Sequence, residues 1–228
     1  MTECFAEILW ARVNAADGPA KTWLERVWPG GIEGAGASPT SVQFRAAFAG
    51  CARRFRDLTL QADDIRSLRD AGVLDGANWQ LDNVARTALL LRALSLLPSG
   101  EQAEIVRQVY LRGDYREQAA VLQSLSFLPQ PERFLELAIE ACRTNVLDVF
   151  EAIACENAYP AAMFPEAAFN QMVLKAIFMA VLVGRIAGLG QRATPELKRM
   201  VIAFASERQA AGRTVPDDVD LIVNLDAA

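Results

Sequence analysis

The chemically suggestive residues of this 228-residue chain gather late in the sequence. Glu156, Asn157 and Tyr159 stand in the run Glu156-Asn157-Ala158-Tyr159-Pro160, and Asn170, Gln171 and Lys175 follow on the next predicted helix. Gln171 and Lys175 are four apart and share one side of that helix. A lysine among apolar residues needs a counter-charge or gives up part of its basicity, and Glu156 is its predicted partner. Arg185 follows the same helix and joins the set. Two readings stand side by side. The seven residues are ligand contacts of a polar pocket, or they form a structural ion pair with a lysine whose stem lies along apolar surface. As an enzyme, the pocket would use Lys175 as an electrostatic or Schiff-base group, with Glu156 or Tyr159 as acid and base.

Other chemistries are excluded by what the chain lacks. It contains no histidine. That removes Ser-His-Asp and Cys-His nucleophilic mechanisms, histidine-ligated metals and the usual general base near neutral pH. Cys4, Cys51, Cys142 and Cys155 are widely spaced and form no C-x-x-C pair, so reduced thiols are expected. The acidic pairs Asp63-Asp64 and Asp217-Asp218 lack the D-D-x-x-D spacing that holds magnesium on a diphosphate. Neither a metal nor a cofactor is expected.

The elements that must position these residues are helices. Phe134, Leu137, Ala138 and Ala141 recur at i, i+3, i+4, i+7, as do Val146, Val149, Phe150 and Ile153, and Leu197, Met200, Val201 and Phe204. Strand patterns are nearly absent. Ser38-Pro39 reads as a cap and first turn, after a Gly-rich stretch to Ala37 that reads as a loop; Gly72 and Gly212 read as helix stops, Arg185 and Arg192 frame a loop over 186–191, and Thr194-Pro195 starts the last long helix. The helix from Pro165 to about residue 182 is apolar on nearly every face, which predicts a central position. Its run Ala176–Val183 is eight residues long, against about 20 for a bilayer span, so it reads as a core segment.

An internal recurrence suggests how the helices are arranged. Leu91-Arg92-Ala93-Leu94-Ser95-Leu96-Leu97-Pro98 returns as Leu122-Gln123-Ser124-Leu125-Ser126-Phe127-Leu128-Pro129, an offset of 31 residues with the pattern L-x-x-L-S-x-L-P. A third, degenerate copy runs from Ile153 to Pro160, each proline closing a helix. The expected fold is all-α: antiparallel hairpins stacked as a short HEAT- or TPR-like right-handed solenoid, or a compact helical array. One domain is expected, with an N-terminal cap over 1–76, repeats over 81–160 and a C-terminal helical part over 161–228.

Composition bounds the partners. With 52% hydrophobic residues the chain has material for a core, and Trp10, Trp23 and Trp28 imply that its first segment packs onto something. The formal net charge is −5, and the densest basic cluster is Arg53, Arg54 and Arg56, so nucleic acid is not an expected partner. The N-terminus lacks a basic, apolar leader pattern, which points to the cytoplasm. No transmembrane segment is expected; peripheral membrane association stays open.

The late motifs also carry a family resemblance. Glu156-Asn157-Ala158-Tyr159-Pro160, Phe164-Pro165-Glu166 and Phe169-Asn170-Gln171-Met172-Val173-Leu174-Lys175 resemble the hallmark of the EboA-domain family. So do Arg185-Ile186-x-Gly188-Leu189, Pro195-Glu196-Leu197-x-Arg199-Met200 and Glu207-Arg208-x-Ala210-Ala211-Gly212-Arg213. The match spans about 155–216, with Ala158 departing from the N-P-Y-P form. The resemblance implies a place in a bacterial gene cluster for making or exporting a secondary metabolite, pigments included, beside a prenyltransferase and a metal hydrolase. It implies no reaction. The expected role is a non-catalytic accessory protein that binds a pathway enzyme or a small anionic or prenylated metabolite. The alternatives are the Lys175 enzyme and a purely structural subunit.

Overall fold

The fold is described from a computed structural model, for residues 2–16, 18–29 and 40–225. The expected Gly-rich loop and the Ser38 cap lie outside these residues. All regular structure among the described residues is helical: fourteen α-helices with four single 3₁₀ turns and no strand. The chain forms two compact units that divide after Phe134.

The first unit is built around one helix. Its elements are α1 (Thr2–Ala16), α2 (Pro19–Val27), α3 (Ser41–Phe55), α4 (Ala62–Asp70), α5 (Leu81–Leu96), α6 (Ser99–Arg112) and α7 (Tyr115–Ser124). Helix α5 carries eleven buried residues and meets α1, α3, α6 and α7. Helix α5 is thus the buried centre of this unit, a place the sequence assigns instead to the helix after Pro165. Each start has a local cause. Pro19 stands in the first turn of α2, where its missing N–H costs nothing. Thr40 caps α3 in a reciprocal box with Gln43, so the cap lies two residues after Ser38. Helix α4 stops at Gly72, whose φ of 97° suits glycine, with Val73 N–H donating to Leu68 O at 2.9 Å.

The second unit holds α8 (Leu135–Ala141), α9 (Leu147–Ala154), α10 (Ala158–Met163), α11 (Glu166–Phe178), α12 (Leu189–Arg192), α13 (Pro195–Ala210) and α14 (Asp218–Val223). Three sequence expectations are corrected here. Pro160 does not close a helix; it lies in the first turn of α10, which Asn157 caps. The segment 186–191, expected as a loop, contains the start of α12, and Gly188 before it takes a φ of 72°. Helix α11 ends at Phe178, four residues short of the expected stop, because Ala180 turns at a φ of 58°. It is not buried all round. Phe169, Met172, Val173, Ala176 and Ile177 form one inward seam, whereas Phe178 and Leu182 are 67% and 64% exposed.

Candidate functional site

The residues singled out in the sequence all lie in the second unit, and they divide into separate arrangements. Residues 156 and 185 meet three times. The Glu156 N–H donates to Arg185 O at 2.9 Å, while Arg185 Nε and Nη2 donate to the two carboxylate oxygens of Glu156 at 2.8 and 2.9 Å. Arg185 Nη1 donates to Glu151 Oε2 at 2.8 Å. The fork matches a carboxylate in a way no ammonium can, and these bonds push the Arg185 pKa up, Glu156 contributing most. The backbone explains the meeting. Glu156 turns out of α9 at a φ of 45°, and Ala180 reverses the chain after α11 so that a 3₁₀ turn at Val183–Arg185 faces it.

The predicted Glu156–Lys175 pair therefore does not form. Among the described residues no carboxylate lies within 4 Å of Lys175. Its ammonium sits 5.6 Å from the Phe150 ring centroid, half-buried, and burial lowers its pKa. Asn157 is structural: its Oδ1 accepts from Tyr159 N–H and its Nδ2 donates to Ala152 O, both at 2.9 Å. Tyr159 is buried edge-on against Phe164. Asn170 is buried on the inward seam with no partner for its Oδ1 among the described residues. Gln171 is exposed. Arg192, noted in the sequence only for framing a loop, donates to Ala161 O and Phe164 O and lies 4.8 Å over Phe169, closing the end of α10.

Other reactive groups are equally quiet. Burial pushes the thiols of Cys51, Cys142 and Cys155 up to about 12, which leaves them protonated at neutral pH. Among the described residues no three His, Cys, Asp or Glu side chains gather as a metal site. Asp64 accepts from Gln61 N–H and lies 3.2 Å from Arg12, and Asp63 pairs with Arg66, so this acidic pair is satisfied locally.

A cavity of about 530 Å³ lies in the first unit, where the sequence reading named no site. It is framed by Trp23, Arg26 and Trp28 at the end of α2, by Phe44, Ala46 and Ala47 on α3, and by one face of α5. On α5 the lining residues Leu89, Arg92, Ala93 and Leu96 follow i, i+3, i+4, i+7. The indoles are fixed from behind. Trp23 packs on Phe55 with ring centroids 5.6 Å apart, and it approaches α3 at Gly50, where a Cβ would stand only 2.9 Å from its ring. Trp28 meets Trp10 edge-on at 6.3 Å, and Arg92 stacks over it at 5.8 Å. The buried Trp28 N–H has no acceptor among the described residues. The signal available in the sequence was Arg92 within the otherwise apolar stretch 88–94, together with the early tryptophans; small residues on α3 and α5 open the space.

These features define an all-helical protein with a preformed, aromatic-walled cavity of small-molecule size. The chain matches the family model described as "Metabolite traffic protein EboA" over residues 6–224, and it belongs to that family. The match extends well upstream of the 155–216 motifs and includes the cavity. No curated protein and no solved structure matches the chain. No helix among the described residues is long and apolar enough to cross a membrane.

Proposed function

We propose that this chain is a non-catalytic accessory protein of a metabolite pathway, and that it binds a small molecule in the cavity between α2, α3 and α5. The carrying observation is the cavity itself. About 530 Å³ falls inside the usual range of ligand sites, roughly 300–1,000 Å³, and the lining pairs rigid aromatic walls with a few polar groups. The family description, metabolite traffic, supports handling of a molecule over its transformation. The absence of histidine and the protonated thiols of Cys51, Cys142 and Cys155 support the same reading. The Lys175 enzyme is the weaker reading, because Glu156 is already engaged by Arg185.

The same proposal takes the L-x-x-L-S-x-L-P recurrence as a mark of stacked hairpins in a short HEAT- or TPR-like solenoid. Supporting this, Leu91, Leu94, Leu122 and Leu125 are all buried, and Gln102 bonds back across the link after α5 to Leu94 O and Leu97 O. The proposed location is the cytoplasm, and a pathway enzyme is the proposed second partner.

Native mass spectrometry of the full chain, incubated with a small-molecule extract of its source cells, tests the binding reading. Retained small-molecule mass is expected. Ala46 is exposed at the cavity lining, so A46W should block the site without disturbing the core and should lose that mass. Equal retention by both proteins, or none by the unaltered chain, overturns the proposal.

A further inference from the structure

Helix α3 and the residue that ends it carry four arginines, Arg45, Arg53, Arg54 and Arg56, and no acidic residue. The chain as a whole is the reverse, with 28 acidic and 23 basic residues. Among the described residues none of these four guanidinium groups has a carboxylate within 4 Å, whereas Arg12, Arg66, Arg86, Arg143, Arg185 and Arg199 are all paired. A cation in the last turn suits the helix dipole, which accounts for Arg53 and Arg54. It does not account for Arg45, which stands in the second turn, nearer the positive end.

The outer face of α3 is drawn from Val42, Arg45, Ala46, Ala49, Arg53 and Arg56, at i, i+3, i+4, i+7, i+11 and i+14. Phe44, Phe48, Cys51 and Phe55 turn the opposite way and are buried. Val42 is 65% exposed, Arg53 and Arg56 are exposed and Arg45 is half-buried. From Arg45 to Arg56 the helix runs about 16 Å. Alanines separate the arginines, so nothing on this face rises above the guanidinium groups. The result is a straight cationic strip on a shallow apolar ground.

We infer that this face of α3 docks on an anionic membrane surface, with Arg45, Arg53 and Arg56 on lipid phosphates and carboxylates and Val42 at the headgroup boundary. Nucleic acid fits the strip less well. The aromatic rings of α3 are buried, so none is offered to stack on a base, and no Asn or Gln on the face can read a base edge. A flat surface asks only for charge along a line. Asp57, exposed just beyond the strip, and the acidic excess elsewhere keep the attachment weak and reversible. The inference stands on α3 and needs no ligand in the cavity. Ala46 belongs to this face and to the cavity lining alike, so docking would bring the bilayer beside the cavity.

Co-sedimentation of the full-length chain with vesicles tests the docking. Vesicles of phosphatidylcholine with about one-third phosphatidylserine should carry the protein down at low salt, and vesicles of phosphatidylcholine alone should not. Salt at about 0.5 M should release it. R53Q and R56Q together should lower the partition about twentyfold, at about fivefold for each arginine lost. Both side chains are exposed, so the thermal midpoint should stay within a few degrees of the unaltered chain. R213Q removes an equally exposed charge from the second unit and should leave the partition within twofold. No binding to the anionic vesicles, equal binding to both kinds, or equal losses for R213Q and for the double variant overturns the inference. Tighter binding to a short DNA duplex than to the anionic vesicles overturns it in favour of nucleic acid.

Discussion

In the first unit Arg86 is sealed inside, with its side chain 2% exposed; in the second Arg185 lies at an edge, 35% exposed. Arg86 pairs with Asp82 one turn earlier on α5, donates from Nε to Phe48 O at 3.3 Å and lies 5.6 Å over the Phe48 ring. It ties α5 to α3, two of the three helices that frame the cavity. Arg185 ties the turn after α11 to the end of α9. Both are guanidinium clamps on carboxylates, yet they differ in what they hold. One fixes the spacing of two long helices around open space; the other closes short elements. Glu156, Asn157 and Arg185, conspicuous in the sequence, thus bond to one another's neighbourhood and close local turns. The cavity arises from ordinary residues on three helices.

The comparison breaks most visibly at Arg86. R86M leaves Asp82, 15% exposed, without its partner and empties a sealed site, and about 2–4 kcal/mol is expected, somewhat under the loss for a fully buried pair. Chemical denaturation should give that loss, and R86M should also weaken ligand retention by loosening α3 against α5. R185M is the smaller perturbation. Its partners Glu151 and Glu156 are 31% and 29% exposed, so water screens the orphaned carboxylates and about 1–2 kcal/mol is expected. R185M should leave cavity binding unchanged. A reversed order of the two losses would mean that the second unit, not the first, depends on its internal charge.

The all-helical class was legible from period alone, because apolar residues at i, i+3, i+4, i+7 have no second interpretation over long segments. The caps at Thr194 and Pro195, and the stops at Gly72 and Gly212, were readable for the same local reason. What could not be read was partner choice at distance. Glu156 had two cations within plausible reach, and the left-handed turns at Glu156 and Ala180 decided for Arg185. Neither residue is glycine, so nothing in the sequence announced the turns. Helix α11 looked central because its composition is apolar, although one of its apolar residues, Phe178, faces outward. The cavity was hidden for a related reason. A void is made by what small residues such as Ala46, Ala47 and Ala93 leave unfilled, and that depends on the approach of other helices.

The finest distinction between the units concerns a charge with no partner carboxylate. Lys175 lies half-buried over Phe150, and burial lowers its pKa, with only the neighbouring Cys142 acting the other way. The unfolded chain therefore holds this proton more tightly than the folded one, and folding at neutral pH works against it. That cost is full below the lowered folded pKa and fades as pH rises toward the unfolded value, about 10.4. K175M keeps a long side chain over Phe150 and removes the charge. After allowance for exposure it should gain a few tenths of a kcal/mol at pH 7, less any cation–π attraction forgone. The gain should shrink as pH passes about 10.4, where the unfolded lysine is half neutral, and vanish about a unit higher, where both states are largely neutral. Urea midpoints of the two proteins at pH 7 and at the higher pH measure it. A loss of stability on K175M at pH 7 would mean that Lys175 is held by attraction, as Arg86 is. The contrast between a charge built into the first unit and one merely tolerated in the second would then fail.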